Sequence, residues 1–189
     1  MNRRKALQSV AVLMGGTVIG GSMLLQHGCK PAAKKVNSLF DENQVKLMDE
    51  IADTIIPDTS TPGAKAAQVG AFMALMVQDC YTPADQKVFT EGLIKIEEAS
   101  KAKFGKSFMD ITPAQRTEML TALDAEQKEY QSKKQKDDPA HYFRMMKELT
   151  LFGYFTSEIG ATKALRYVQV PGKYDPCLPY KKGDKAWAT

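Results

Sequence analysis

Two tetrapeptides, Thr82-Pro83-Ala84-Asp85 and Thr112-Pro113-Ala114-Gln115, constrain this chain more than any other feature. Each sets a capping hydroxyl before a proline at the first helical position, with an acid or amide at the third. Proline costs little there, because the amide it lacks has no partner within the first turn. Each start runs into an apolar stripe. Leu93, Ile96 and Phe104 continue the first, and Gly105 stops it. Met119, Leu120 and Leu123 continue the second, over a shorter face.

The same order of cap, stripe and breaker holds on both sides of this pair. Asp41 precedes Gln44 as in a capping box. Leu47, Met48, Ile51 and Ile55 follow at helical spacing, Asp49, Glu50 and Asp53 fall on the expected wet side, and Pro57 closes the helix. Val69, Phe72, Met73, Met76, Val77 and Cys80 form another stripe after the turn-rich Pro57–Ala64 loop. Methionines at this spacing read as core packing rather than metal ligands. The charged run KEYQSKKQKDDP, Lys128 to Pro139, reads as an exposed, mobile connection. A last long helix is predicted from near Ala140, carrying Phe143, Met146, Leu149, Phe152, Tyr154, Phe155 and Ile159. It is apolar around much of its circumference, which suits the centre of a bundle or packing on another protein. After Leu165 the prolines, glycines and aromatics predict an irregular tail. No alternating strand series and no βαβ rhythm occurs. The expected fold class is all-α, a small bundle of about five helices.

The amino terminus reads as an address. Arg3, Arg4 and Lys5 precede an uncharged stretch from Ala6 to Leu25, the order of an export signal. The arginine pair before a glycine-diluted apolar run resembles a twin-arginine signal, although Ala6 and Gln8 depart from its pattern. Gly28-Cys29 ends the run and resembles a lipoprotein site, at which the Cys29 thiol takes a lipid. An uncleaved anchor helix and simple cleavage are the rival fates. The expected division is an export signal at 1–29, a polar spacer at 30–39 and a helical domain at 40–189. The expected location is the periplasmic side of a membrane, held there by the lipid or the N-terminal helix.

Three of the net four positive charges belong to Arg3, Arg4 and Lys5. The basic balance is therefore largely a leader property and gives no case for nucleic acid. The chain has no GxGxxG, P-loop, GxSxG, HExxH or CxxCH. His141 is the one histidine beyond the leader, and it sits where a helix starts. It reads as a cap or surface residue rather than a general base, since no orienting partner is evident. No catalytic, cofactor-binding or metal-binding residue is expected in this chain.

Cys80 and Cys177 remain after the leader. In an exported chain they meet an oxidising environment. A bond between them would close a loop of about 97 residues, worth roughly 4–5 kcal/mol in chain-entropy models. One of them bonding a partner subunit, and two buried thiols, are the alternatives.

Three stretches in order resemble a known family: Asp53 to Ala64 (DTIIPDTSTPGA), Leu149 to Gly160 (LTLFGYFTSEIG) and Tyr167 to Tyr174 (YVQVPGKY). Behind an export leader they resemble the gluconate 2-dehydrogenase subunit 3 family, the small subunit of membrane-bound flavin dehydrogenases of sugars and sugar acids. The resemblance implies an accessory role. In such complexes the large subunit holds FAD and oxidises the substrate, and in some a cytochrome c subunit passes electrons to quinone. The small subunit would escort the folded large subunit through export and stabilise it. The Gly28-Cys29 site suggests a variant held at the membrane independently of a cytochrome. A stand-alone exported lipoprotein, acting as a binding or scaffold module, is the alternative.

The partner surface is expected where the resemblance concentrates. Irregular backbone with aromatic anchors often forms such surfaces. The candidates are Pro57, Pro62 and Gly63 in the first loop, Tyr154 on the last helix, and Tyr167, Pro171, Gly172 and Tyr174 in the tail. The aromatic segment Phe152–Phe155 belongs to the same expected surface, with ordinary core packing as the alternative for Phe152 and Phe155.

Overall fold

The computed structural model describes residues 34–173 and 175–188. Arg3, Arg4, Cys29 and Tyr174 lie outside the described residues. Among those described there are five α-helices: α1 (Glu42–Ile55), α2 (Val69–Cys80), α3 (Pro83–Phe104), α4 (Pro113–Lys133) and α5 (Tyr142–Thr156). The fold is all-α, as its cap-and-stripe pattern predicts.

The predicted caps form as written. Asp41 accepts from the Asn43 and Gln44 amides at 2.9 Å each, and the Gln44 side chain accepts from the Asp41 amide at 3.0 Å. Thr82 accepts from the Asp85 amide, and Gly105 ends α3 at φ 70°. Thr112 and Gln115 form a second capping box. Helix α2 lacks a cap of its own: Gln68 turns into it through left-handed backbone at φ 53° without a side-chain bond. Asp49 of α1 supplies the missing acceptor, taking the Gly70 amide at 2.7 Å. Burial raises the Asp49 carboxyl above its ordinary value, and the Gly70 amide offsets part of that shift.

Helix α5 packs against each of the other four. Its Phe143, Met146, Leu149 and Tyr154 meet a core built from Met48, Ile51, Met73, Phe89, Ile96 and Phe108. Met48, Met73 and Met146 are fully buried, which fits the packing role.

The structure moves three boundaries. The expected spacer is docked from Lys34 onward: the Glu42 amide bonds Lys34 O at 3.0 Å, and Asn37 Nδ2 bonds Ala74 O at 3.0 Å. The charged run after Lys128 is a solvated helix end as far as Lys133, followed by the connection to α5. Ion pairs one turn apart hold it, Lys128 to Asp124 at 2.7 Å and Lys133 to Glu129 at 2.6 Å. The Tyr130 hydroxyl then ties it to Pro139 O at 2.8 Å. Helix α5 ends at Thr156, short of Ile159, and a wide turn follows over Gly160–Ala164. A Cβ at Gly160 would sit 1.8 Å from Tyr154 O, so only glycine lets the turn close on the helix end.

The tail is irregular, as expected, apart from one short parallel pairing. Strand β1 (Arg166–Tyr167) bonds β2 (Trp187–Ala188), with Arg166 opposite Trp187.

Candidate functional site

Acidic residues of α1 expected on a wet face are internal fastenings. Glu50 bridges Arg116 of α4 and Lys65, the latter at 2.7 Å, and its side chain is only 13% exposed. Burial pushes the Glu50 carboxyl up, but Lys65 and Arg116 together more than reverse this and hold it below its ordinary value. Arg116 also donates to Phe108 O at 3.0 Å and Met109 O at 2.6 Å. Glu97 accepts from the Phe108 amide at 3.2 Å. On α4, Asp124 is lowered by the Lys128 and Lys147 ammonium groups that bond it.

His141 caps α5, its Nδ1 accepting from the Phe143 amide at 3.2 Å. Its other nitrogen therefore carries the proton and faces Glu126 at 3.4 Å. The ring stacks on Tyr142, 4.5 Å between centroids. Burial pushes the Tyr142 phenol up to about 12, and the Glu126 charge adds to the shift. Among the described residues no three or more His, Cys, Asp or Glu side chains converge as metal ligands. No helix among them is long and apolar enough to cross a membrane.

The candidate surface residues divide sharply. Tyr154 is 2% exposed and belongs to the core rather than to an interface. Its phenol needs a buried partner, and Pro62 O accepts from it at 2.7 Å. This bond joins two of the three resembling stretches. Gly63 lies beside it, buried, where a Cβ would come within 2.6 Å of the Asp58 amide. Pro62 is half-buried and Pro57 exposed. The end of the loop, Pro62–Ala64, is thus a structural clamp, while residues 57–60 stay exposed. Tyr167, Pro171 and Gly172 are exposed in the tail and are not brought against the loop.

Of the two readings of Phe152 and Phe155, the structure has the outward one: both face solvent rather than the core, Phe152 at 52% exposure. The core side of α5 is already filled by Leu149, Gly153 and Tyr154, so the adjacent positions turn outward. Gly153 brings α2 close, with Phe72 against it, and Phe72 meets Phe152 edge-on at 5.6 Å. Leu75 of α2 and Leu151 of α5 also face solvent, at 55% and 41% exposure. The Phe72–Phe152 contact thus forms an apolar surface where α2 meets α5, and both helices turn further apolar side chains to solvent. Leu75 and Leu151 escaped the sequence reading. A signal was available: α2 has no charge before Asp79, so its apolar residues exceed what one buried stripe can use.

Cys80 and Cys177 are both free and exposed, and the expected bond does not form. Cys80 ends α2 with its sulfur 4.0 Å from that of Met76. Cys177 sits in a local turn, its amide donating to Asp175 at 3.1 Å.

A family model, gluconate 2-dehydrogenase subunit 3, matches residues 42–172. The chain belongs to this family. No curated protein and no solved structure shows a match. The matched span contains all five helices and the exposed apolar side chains of α2 and α5. Membership makes this chain a subunit 3, one component of a dehydrogenase assembly.

Proposed function

We propose that this subunit 3 protein is the non-catalytic small subunit of a membrane-associated, flavin-dependent sugar or sugar-acid dehydrogenase. It escorts the FAD-containing large subunit through export and stabilises it afterwards. The observation that carries the reading is the set of exposed apolar side chains on α2 and α5, Leu75, Leu151, Phe152 and Phe155, all inside the family match. Monomeric proteins rarely expose large aromatic and aliphatic side chains side by side unless something covers them. Arg3 and Arg4 direct export of the folded pair, and Cys29 carries the lipid that retains it on the periplasmic side of the membrane. FAD and the oxidation belong to the large subunit, and a cytochrome c subunit receives the electrons.

Replacing Arg3 and Arg4 together by lysine tests the escort. The expected result is a flavin-containing partner left in the cytoplasm. A partner that still reaches the periplasmic side would overturn the escort role. Mild-detergent capture of the native chain, followed by mass spectrometry, is expected to return a flavoprotein in fixed ratio. Recovery of the chain alone would overturn the accessory reading.

A further inference from the structure

We propose that the end of the tail, Leu178–Trp187, binds the phosphate headgroups of an anionic phospholipid surface. This inference is independent of the large subunit and uses a different part of the molecule from the α2–α5 face.

The segment is held in place. The Arg166 amide donates to Ala186 O at 2.8 Å, and the Val168 amide to Ala188 O at 2.9 Å. The Arg166 guanidinium stacks over the Trp187 ring, 4.4 Å from its centroid. Lys185 Nζ reaches back to Lys163 O. These bonds anchor the end of the tail to the turn after α5. Between them lies an open pocket of about 380 Å³, lined by Arg166, Leu178, Tyr180, Lys185 and Trp187 among others.

What the segment displays is unusual for the rest of this chain. Tyr180 is 75% exposed, and Leu178 and Trp187 are about half exposed. Lys181, Lys182 and Lys185 stand among them. The one acid in the segment, Asp184, is engaged locally, accepting from the Lys181 amide at 3.0 Å. The contrast with the body is electrostatic. Residues 34–165 carry twenty carboxylates against seventeen basic side chains, whereas the tail from Arg166 carries two against five. A cationic end on an acidic body orients the molecule toward an anionic surface. Trp and Tyr suit the headgroup layer, with an apolar ring and a polar edge, and lysines keep their charge in water while their stems lie on apolar material. A protein hot spot instead clusters its anchors in a desolvated patch. Here Leu178, Tyr180 and Trp187 stand half to three-quarters exposed beside Lys181, Lys182 and Lys185, which fits shallow insertion. Lys173 onward also falls outside the family match, so this feature is additional to the shared subunit 3 domain.

Trp187 is the chain's one tryptophan, so its emission reports on this segment whatever the leader does. The experiment titrates the full chain with vesicles of equal parts phosphatidylglycerol and phosphatidylcholine, and with phosphatidylcholine alone. The expected result is a blue shift with the anionic vesicles only, reversed by high salt. K181Q/K182Q is expected to need about thirtyfold more anionic lipid for the same shift, at the usual worth of a lysine near such a surface. L178S/Y180S is expected to weaken the shift at both low and moderate salt. An equal response to both vesicle types, or parent-like titration of K181Q/K182Q, would overturn the proposal. A shift produced by inorganic phosphate without vesicles would overturn the lipid source. If K181Q/K182Q instead loses the flavoprotein and keeps the vesicle response, the segment is a protein contact and the proposal fails.

Discussion

The Tyr154 hydroxyl donates to the Pro62 carbonyl at 2.7 Å, across 92 residues of sequence. One bond thereby fastens the central helix α5 to the loop that leads into α2. Tyr154→Phe removes the donor and leaves a partly buried carbonyl without it. The expected loss is about 1–2 kcal/mol in urea unfolding. Tyr154→Ala also empties a core position, and about 3–5 kcal/mol is expected. Since the side chain is buried, Tyr154→Phe is expected to bind the large subunit as the parent does. A thirtyfold weaker complex at parent-like stability would return Tyr154 to the interface.

Gly160 and Gly172 make a paired comparison. A Cβ at Gly160 meets Tyr154 O at 1.8 Å, whereas a Cβ at Gly172 meets nothing within 4 Å. Gly160→Ala must therefore displace backbone, and a loss of about 1–3 kcal/mol or more is expected. Gly172→Ala is expected to stay within about 0.5 kcal/mol. Equal stability of the two variants in chemical unfolding would contradict the close packing of the turn on α5.

Glu50 links pH to stability. Its carboxyl is held below the ordinary value of 4.5 by Lys65 and Arg116, once burial is overcome. In the window between the folded and unfolded values the unfolded chain binds more protons, so stability rises with pH there. The contribution is complete above the unfolded value and is lost as pH falls through the folded one. Glu50→Gln is expected to flatten this acid limb in unfolding curves taken at several pH values. Breaking the pair is also expected to cost about 3 kcal/mol near neutrality, because Arg116 is left half-partnered in a buried place. An unchanged acid limb would remove Glu50 from this role.

The helices were legible because local chemistry decides them. Asp41, Thr82 and Thr112 each bring their acceptor, and the stripe that follows needs only one buried side. His141 was legible as a cap for the same reason. The wet-face reading of Asp49 and Glu50 failed because their partners, the Gly70 amide and Arg116, arrive from other helices. No periodicity within α1 encodes them. The sequence left Phe152 between core and surface for a similar reason. An apolar helix announces that it is buried but not by what, and a neighbouring subunit leaves the same pattern as a core. Tyr154 and Phe152 are two residues apart, and tertiary packing alone separates clamp from surface.

That separation gives the most direct test of the partner face. Phe152 and Leu75 are 52% and 55% exposed, on two helices joined at Phe72. Replacing either by serine exchanges solvent-facing apolar surface for polar surface and opens no cavity. The isolated chain is expected to keep its unfolding free energy within about 0.5 kcal/mol. If the face is covered by the large subunit, the same variants remove a central anchor. Such a residue contributes about 2 kcal/mol or more, roughly a thirtyfold weakening of the complex. The double variant is expected to lose more than either single change. Affinity for the flavoprotein and thermal stability are measured on the same preparations. Parent-like affinity in Phe152→Ser, Leu75→Ser and the double variant would place the large subunit elsewhere on the domain.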